Sequence, residues 1–94
     1  MSRIPTHPGA VLREDVFPAL NMPKTKIARA LGISRSMLYA ILAEDVPITP
    51  NIALRLGKFL GNGPELWMDM QVAHDLAVTA RAMKRELEGV RKVA

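Results

Sequence analysis

The sequence of 94 residues contains no cysteine, which excludes a disulfide framework, a thiolate metal site and a thiol nucleophile. Aromatic side chains are scarce: two Phe, one Trp and one Tyr. Any core must therefore be aliphatic. No uncharged apolar run approaches the roughly 20 residues of a bilayer span. The opening Met1-Ser2-Arg3, with Pro5 and Pro8, has no apolar signal-peptide core. A cytoplasmic domain without membrane attachment is expected. Catalytic groupings are missing too. His7 and His74 stand far apart without ligand-spaced partners, so no metal is expected. Ser34 and Ser36 lack a neighbouring base, and the pairs Glu14-Asp15 and Glu44-Asp45 occupy adjacent helical positions that point different ways. The expectation is a protein that is not an enzyme, with no cofactor and no small-molecule substrate.

Apolar residues make up 49% of the chain, too many for a disordered tail, and the length suits one domain. Thirteen Lys and Arg against nine Asp and Glu give +4. Residues 1–63 hold eight basic and four acidic side chains, whereas residues 64–94 hold five of each. The whole surplus lies in the first two thirds, as suits a domain that meets a polyanion such as nucleic acid.

A 3.6-residue apolar period dominates and predicts an all-α fold of five helices. The first carries Val11, Leu12, Val16 and Phe17 on one face and ends or kinks at Pro18. The second runs from Lys24 to Leu31 and stops at Gly32. Ser34 caps a third, from Arg35 to Ala43, with Leu38, Ile41 and Leu42 inward. Thr49-Pro50 opens a fourth, with Ile52, Ala53, Leu56, Phe59 and Leu60 buried. Gly61-Asn62-Gly63-Pro64 breaks the chain, and a long fifth helix runs from Pro64 to about Glu88. The expected division is a core over 1–63 and a helical extension over 64–94.

Residues 24–43 carry the specific signal. Ala28 is small where two helices approach, Gly32 takes the left-handed turn, and Ile27, Leu31, Ile33, Leu38 and Ile41 set the angle between the helices. This is a helix-turn-helix, whose second helix enters the DNA major groove. Arg35, Ser36, Tyr39 and Ala40 then point outward as candidate base contacts. Arg35 can bond guanine O6 and N7 bidentately; its bland alternative is a solvated arginine. Tyr39 either meets a thymine methyl or a phosphate, or lies partly buried on the domain surface. Lys24, Thr25, Lys26 and Arg29 on the preceding helix, with Asn51 and Arg55 on the next, are candidate phosphate contacts. Glu44-Asp45 works against them, since carboxylates beside phosphate repel it unless the turn faces away or a cation intervenes.

The chain resembles the HigA-type (VapI-like) antitoxins within the Xre group of helix-turn-helix regulators. The matching stretches are His7-Pro8-Gly9 with Val11-Leu12-Arg13-Glu14, Ile27 to Arg35, Ile48-Thr49-Pro50 with Ala53-Leu54-Arg55-Leu56, and Gly61 before Pro64-Glu65. Leu66-Trp67-Met68, Gln71 and Asp75-Leu76-Ala77 complete the set. The resemblance implies a lambda-repressor-like fold and a cytoplasmic homodimer that binds double-stranded operator DNA and represses its own operon. It also implies a partner toxin, a RelE-like mRNA-cleaving endoribonuclease, that the protein neutralises. The family commonly has an Asn-Gly-Arg-like turn after the reading helix, where this chain has Ala43-Glu44-Asp45.

In the fifth helix, Leu66, Trp67 and Met70 are expected in the core. Ala73, Leu76, Ala80, Met83, Leu87 and Val90 follow a 3-4-3-4-3 seam that predicts a dimer contact; the alternative is a solvent-exposed tail. Residues 89–94 are expected to fray. Other readings stay open beside the DNA-binding antitoxin: a protein-interaction module that has lost operator affinity, or a plain Xre-type repressor with no toxin.

Overall fold

A computed structural model describes residues 3–93. Met1 and Ser2, in the opening segment, and Ala94, in the tail expected to fray, lie outside them. Among the described residues there are six helices and no strand. Helix α1 comprises three consecutive stretches, Pro8–Val11, Leu12–Val16 and Phe17–Leu20. Helix α2 is Lys24–Leu31, α3 Arg35–Leu42, α4 Pro50–Leu60, α5 Glu65–Ala82 and α6 Lys84–Glu88.

The middle stretch of α1 is a π-turn, in which Phe17 N–H donates to the Leu12 carbonyl. This changes the outcome expected at Pro18. The helix continues to Leu20, because Pro18 falls in the first turn of the stretch after the π-turn, where no N–H is needed. Asn21, with φ 54°, ends α1 in the left-handed region.

Sequence and structure agree closely at the helix starts and stops. Ser34 Oγ accepts from Met37 N at 3.0 Å and Thr49 Oγ1 from Ile52 N at 3.3 Å. Gly32 closes α2 with φ 73°, Ile33 N donating to the Ala28 carbonyl and Gly32 N to that of Arg29. Leu12, Phe17, Ile27, Ala28, Leu31, Leu38, Ile41, Leu42, Ile48, Ile52, Ala53, Leu56 and Trp67 form one aliphatic core around a single indole. Ile33, Phe59 and Leu60 pack on its edge, partly buried.

Two expectations for the last third are corrected. Leu66 is 47% exposed and not core. Consecutive residues turn 100° on a helix, so Trp67 takes the inward position and Gln71, one turn on, shares it. The single long helix is two helices, because Met83 (φ −101°, ψ 19°) interrupts it. No breaker residue stands there. The interruption falls beyond the last buried residue of α5, Gln71, where little packing supports the ladder. The molecule is accordingly long, 52 Å by 22 by 21 Å, with α6 carrying no buried residue.

Candidate nucleic-acid interface

The reading helix is short, and its outward face is set by what lies behind it. Leu38, Ile41 and Leu42 are buried, which leaves Arg35, Ser36 and Tyr39 exposed. Tyr39 is 51% exposed, so its ring projects and does not lie flat on the domain. Ala40 is half-buried, at the margin of the face and not on it. Met37, 40% exposed, belongs to the same helix surface. The sequence pattern assigns it to neither face, yet an exposed thioether beside Ser36 can meet a thymine methyl.

Lys24, Thr25, Lys26 and Arg29 are all exposed on α2. Thr25, Arg29 and Arg35 line one open hollow, floored by Ala28 and Ile33, where α2 meets the start of α3. Among the described residues the side chains of Lys24, Lys26, Arg29 and Arg35 form no ion pair. The ion pairs found there both belong to Arg13. Four cations without an ion pair thus stand together on the helix-turn-helix.

Arg55 is differently employed. Its Nε donates to Asn51 Oδ1 at 2.7 Å and one terminal nitrogen to the carbonyls of Leu31 and Gly32 at 2.9 and 3.3 Å. These are unsatisfied carbonyls at the end of α2, so Asn51 and Arg55 together tie α4 to the helix-turn-helix hinge. The expected phosphate pair is first of all a brace.

The back of α3 is held by α1. Gly9 lies so close that a Cβ there would stand 2.0 Å from the Ile41 carbonyl oxygen. His7 Nδ1 accepts from Gly9 N at 2.9 Å and caps α1, with Pro8 in the first turn. The His-Pro-Gly stretch therefore starts a helix and lets it touch the reading helix backbone-to-backbone. Burial, and then the charge of His74, push the His7 pKa below 6.5, against Glu44, Asp75 and the Val46 backbone. The two rings, distant in sequence, meet edge to face at 5.0 Å. His74 Nδ1 stands 2.7 Å from the Pro5 carbonyl. Among the described residues no group of three or more His, Cys, Asp or Glu is placed to hold a metal.

Further support comes from α5. Gln71 Oε1 accepts from buried Ile48 N at 2.7 Å while its Nε2 donates to Asp75 at 2.9 Å. Trp67 Nε1 donates to Asn62 at 3.3 Å. The sequence marks Gln71 only among the stretches of the family resemblance; its bond to a loop amide joins positions remote in sequence.

The turn after α3 answers the question raised by Glu44-Asp45. Glu44 sits at φ 64°; its N–H donates to the Ile41 carbonyl and that of Asp45 to Ala40, which repeats the closure made at Gly32. Arg13 donates from one terminal nitrogen to the Leu42 carbonyl at 2.7 Å and to Glu44 Oε2 at 3.2 Å, and from the other to Glu14 at 3.2 Å. Its pKa is raised, first by the hydrogen bond to Glu44. A cation thus stands beside Glu44, while none among the described residues pairs with Asp45.

A scaffold that presents one short helix outward, with cations beside it and α1 and α2 packed against it, defines a helix-turn-helix regulator. No family model matches the sequence. Virulence-associated protein I of Dichelobacter nodosus is 37% identical over 70 residues, covering 74% of this chain and 65% of that protein. A HigA-family addiction-module antidote protein from Coxiella burnetii is 32% identical, with a TM-score of 0.87 over 98% of this chain and 100% of that one. Antitoxin GraA, solved in complex with its operator, is 32% identical with a TM-score of 0.90 over 100% and 96%. The chain belongs to the HigA-type antitoxin family of Xre-like regulators.

Proposed function

We propose that this chain is the antitoxin of a type II toxin–antitoxin pair and a transcriptional autorepressor of its own operon. Two copies place their α3 helices in successive major grooves of an operator, about 34 Å apart. Arg35, Ser36 and Tyr39 read base edges, while Lys24, Thr25, Lys26 and Arg29 lie against phosphate. The same protein binds and silences a RelE-like mRNA-cleaving toxin. It acts in the cytoplasm as a binding protein, without catalysis. No helix among the described residues is long and apolar enough to cross a membrane.

The observation that carries this reading is the outward presentation of Arg35 and Tyr39 on a helix braced from behind by Gly9 and Arg13, with Arg55 fixing the hinge before it. The operator-bound structure of GraA, alike over the whole chain, supports it. The exposed seam on α5, with Leu76 at 66%, supports a subunit contact, although the break at Met83 interrupts its second half. The division into a DNA-binding core over 1–63 and an extension over 64–94 belongs to the same proposal, with the first turns of α5 counted in the core. A module without operator affinity drew its support from Glu44 and Asp45, and the engagement of Glu44 by Arg13 removes half of that support.

The test is a gel shift on the DNA upstream of the protein's own reading frame across a salt series. Arg35→Ala relaxes base preference, at about 1–3 kcal/mol. Lys24→Ala weakens all sequences alike and flattens the log–log salt slope by about one unit. Two variants that shift DNA like the parent overturn the contact assignment. Co-expression with the adjacent reading frame tests the toxin half: a small endoribonuclease that co-purifies and is inactive in the complex is the expected result.

A further inference from the structure

We propose that Arg13 is a positioning residue for DNA binding that acts through Glu44: it holds the carboxylate against α1 and so masks a negative charge that α3 otherwise carries to the phosphate backbone. The inference rests on the operator-binding reading above and names a residue of the same site that does not touch the DNA.

Three observations meet here. The eight residues of α3 span about 12 Å, close to the width of the major groove. Its final turn therefore lies well within a Debye length of a phosphate wall when the helix is lodged. Glu44 is locked into that turn by a left-handed backbone with two closing hydrogen bonds, so the residue cannot swing away as part of a loose loop. Its side chain is what can move, and Arg13 fixes it at 3.2 Å. Both terminal nitrogens of Arg13 are already committed, to Leu42 and Glu44 on one side and Glu14 on the other. Arg13 is thus occupied inside the protein where Arg29 and Arg35 have no ion-pair partner among the described residues. Asp45, next in sequence, carries a carboxylate that enters no ion pair among the described residues and serves as the built-in control.

The experiment is a mutant cycle on the full chain, read as affinity for its own upstream DNA at low salt. Arg13→Gln keeps a donor for the Leu42 carbonyl and removes the charge. It weakens binding about five- to tenfold, Glu44→Gln alone changes it less than about twofold, and the double variant returns to within about twofold of wild type. A double variant as weak as Arg13→Gln overturns the proposal, because Arg13 then acts by touching phosphate or by holding α3. The second arm leaves Arg13 alone and so remains decisive should its variants fail to fold. Asp45→Asn tightens binding more than Glu44→Gln does; a Glu44→Gln gain equal to or above that of Asp45→Asn shows an unmasked carboxylate and overturns the idea. A wild-type chain that shifts no DNA overturns the operator-binding reading and this inference together. Binding without coupling between Arg13 and Glu44 overturns this inference alone.

Discussion

The body of the molecule and its projecting arm are built from the same kinds of residue and treat them oppositely. In α1 to α4 and the first turns of α5, Leu12, Ile27, Leu38, Ile41, Leu56 and Trp67 are nearly or wholly sealed from solvent. From Val72 onward, Val72, Leu76, Val78, Met83, Leu87 and Val90 are all exposed. Apolar content does not separate the two regions; the geometry of partners does. Body residues recur at spacings that several helices satisfy together, whereas the arm repeats one narrow seam whose large apolar side chains stay exposed among the described residues. An apolar surface of that sort, on an arm that makes the molecule more than twice as long as it is wide, is what a second copy would cover in the proposed homodimer.

The sharpest contrast comes from truncating one side chain in each region. Trp67→Ala is expected to destabilise the fold by about 3–5 kcal/mol, since it empties a packed site. Leu76→Ala is expected to change stability by less than about 0.5 kcal/mol in dilute monomer. At higher concentration the wild type gains stability and the Leu76 variant does not, because its seam is truncated. Denaturant melts at two protein concentrations check both, and a Leu76 variant as destabilised as Trp67→Ala at every concentration erases the distinction. Next in size is Gln71→Leu, which keeps volume and removes the acceptor of Ile48 N. An orphaned buried amide costs about 1–3 kcal/mol, and amide exchange at Ile48 should accelerate accordingly.

The distinction also marks how far the fold was legible in sequence. Gly32, Ser34 and Thr49-Pro50 announced helix ends because caps act locally, and the inward faces of α2 and α3 followed from period alone. The outward set Arg35, Ser36 and Tyr39 came with them. What escaped depends on contacts remote in sequence. Arg13 lies 31 positions from Glu44, Gln71 23 from Ile48, Arg55 24 from Leu31, and His7 met His74 only once α5 had folded against the opening segment. The π-turn that carries the helix past Pro18 had no local signal, and neither had the interruption at Met83.

Within the body, His7 ties stability to pH. Its Nδ1 must be unprotonated to accept from Gly9 N, and burial lowers its pKa in the folded state. The unfolded chain, near 6.5, therefore binds the proton more readily. The stabilisation is complete above about pH 6.5 and is lost as pH falls from there toward the folded pKa, at no more than about 1.4 kcal/mol per pH unit. His7→Asn, which caps without titrating, should flatten this dependence in urea melts between pH 7 and 5. An unchanged slope assigns the effect to other groups.

The smallest expected effect concerns the two matching closures on either side of α3. Gly32 and Glu44 occupy the same left-handed position, φ 73° and 64°, with equivalent hydrogen bonds. Glycine takes that conformation without strain, while a residue bearing a Cβ is disfavoured by about 1 kcal/mol or somewhat more. Glu44→Gly therefore relieves backbone strain while releasing Arg13 from an exposed ion pair, a contact of little net weight in water. Glycine also widens the unfolded ensemble, which offsets part of the gain. The net is a stabilisation of less than about 1 kcal/mol. The converse change, Gly32→Ala, destabilises by at least as much, since its Cβ would meet the Arg55 guanidinium at 2.6 Å as well as adopt a strained φ. Opposite signs at two equivalent turns indicate that Glu44 does not stand there for the turn. Equal signs would mean that the backbone at Glu44 is already relaxed.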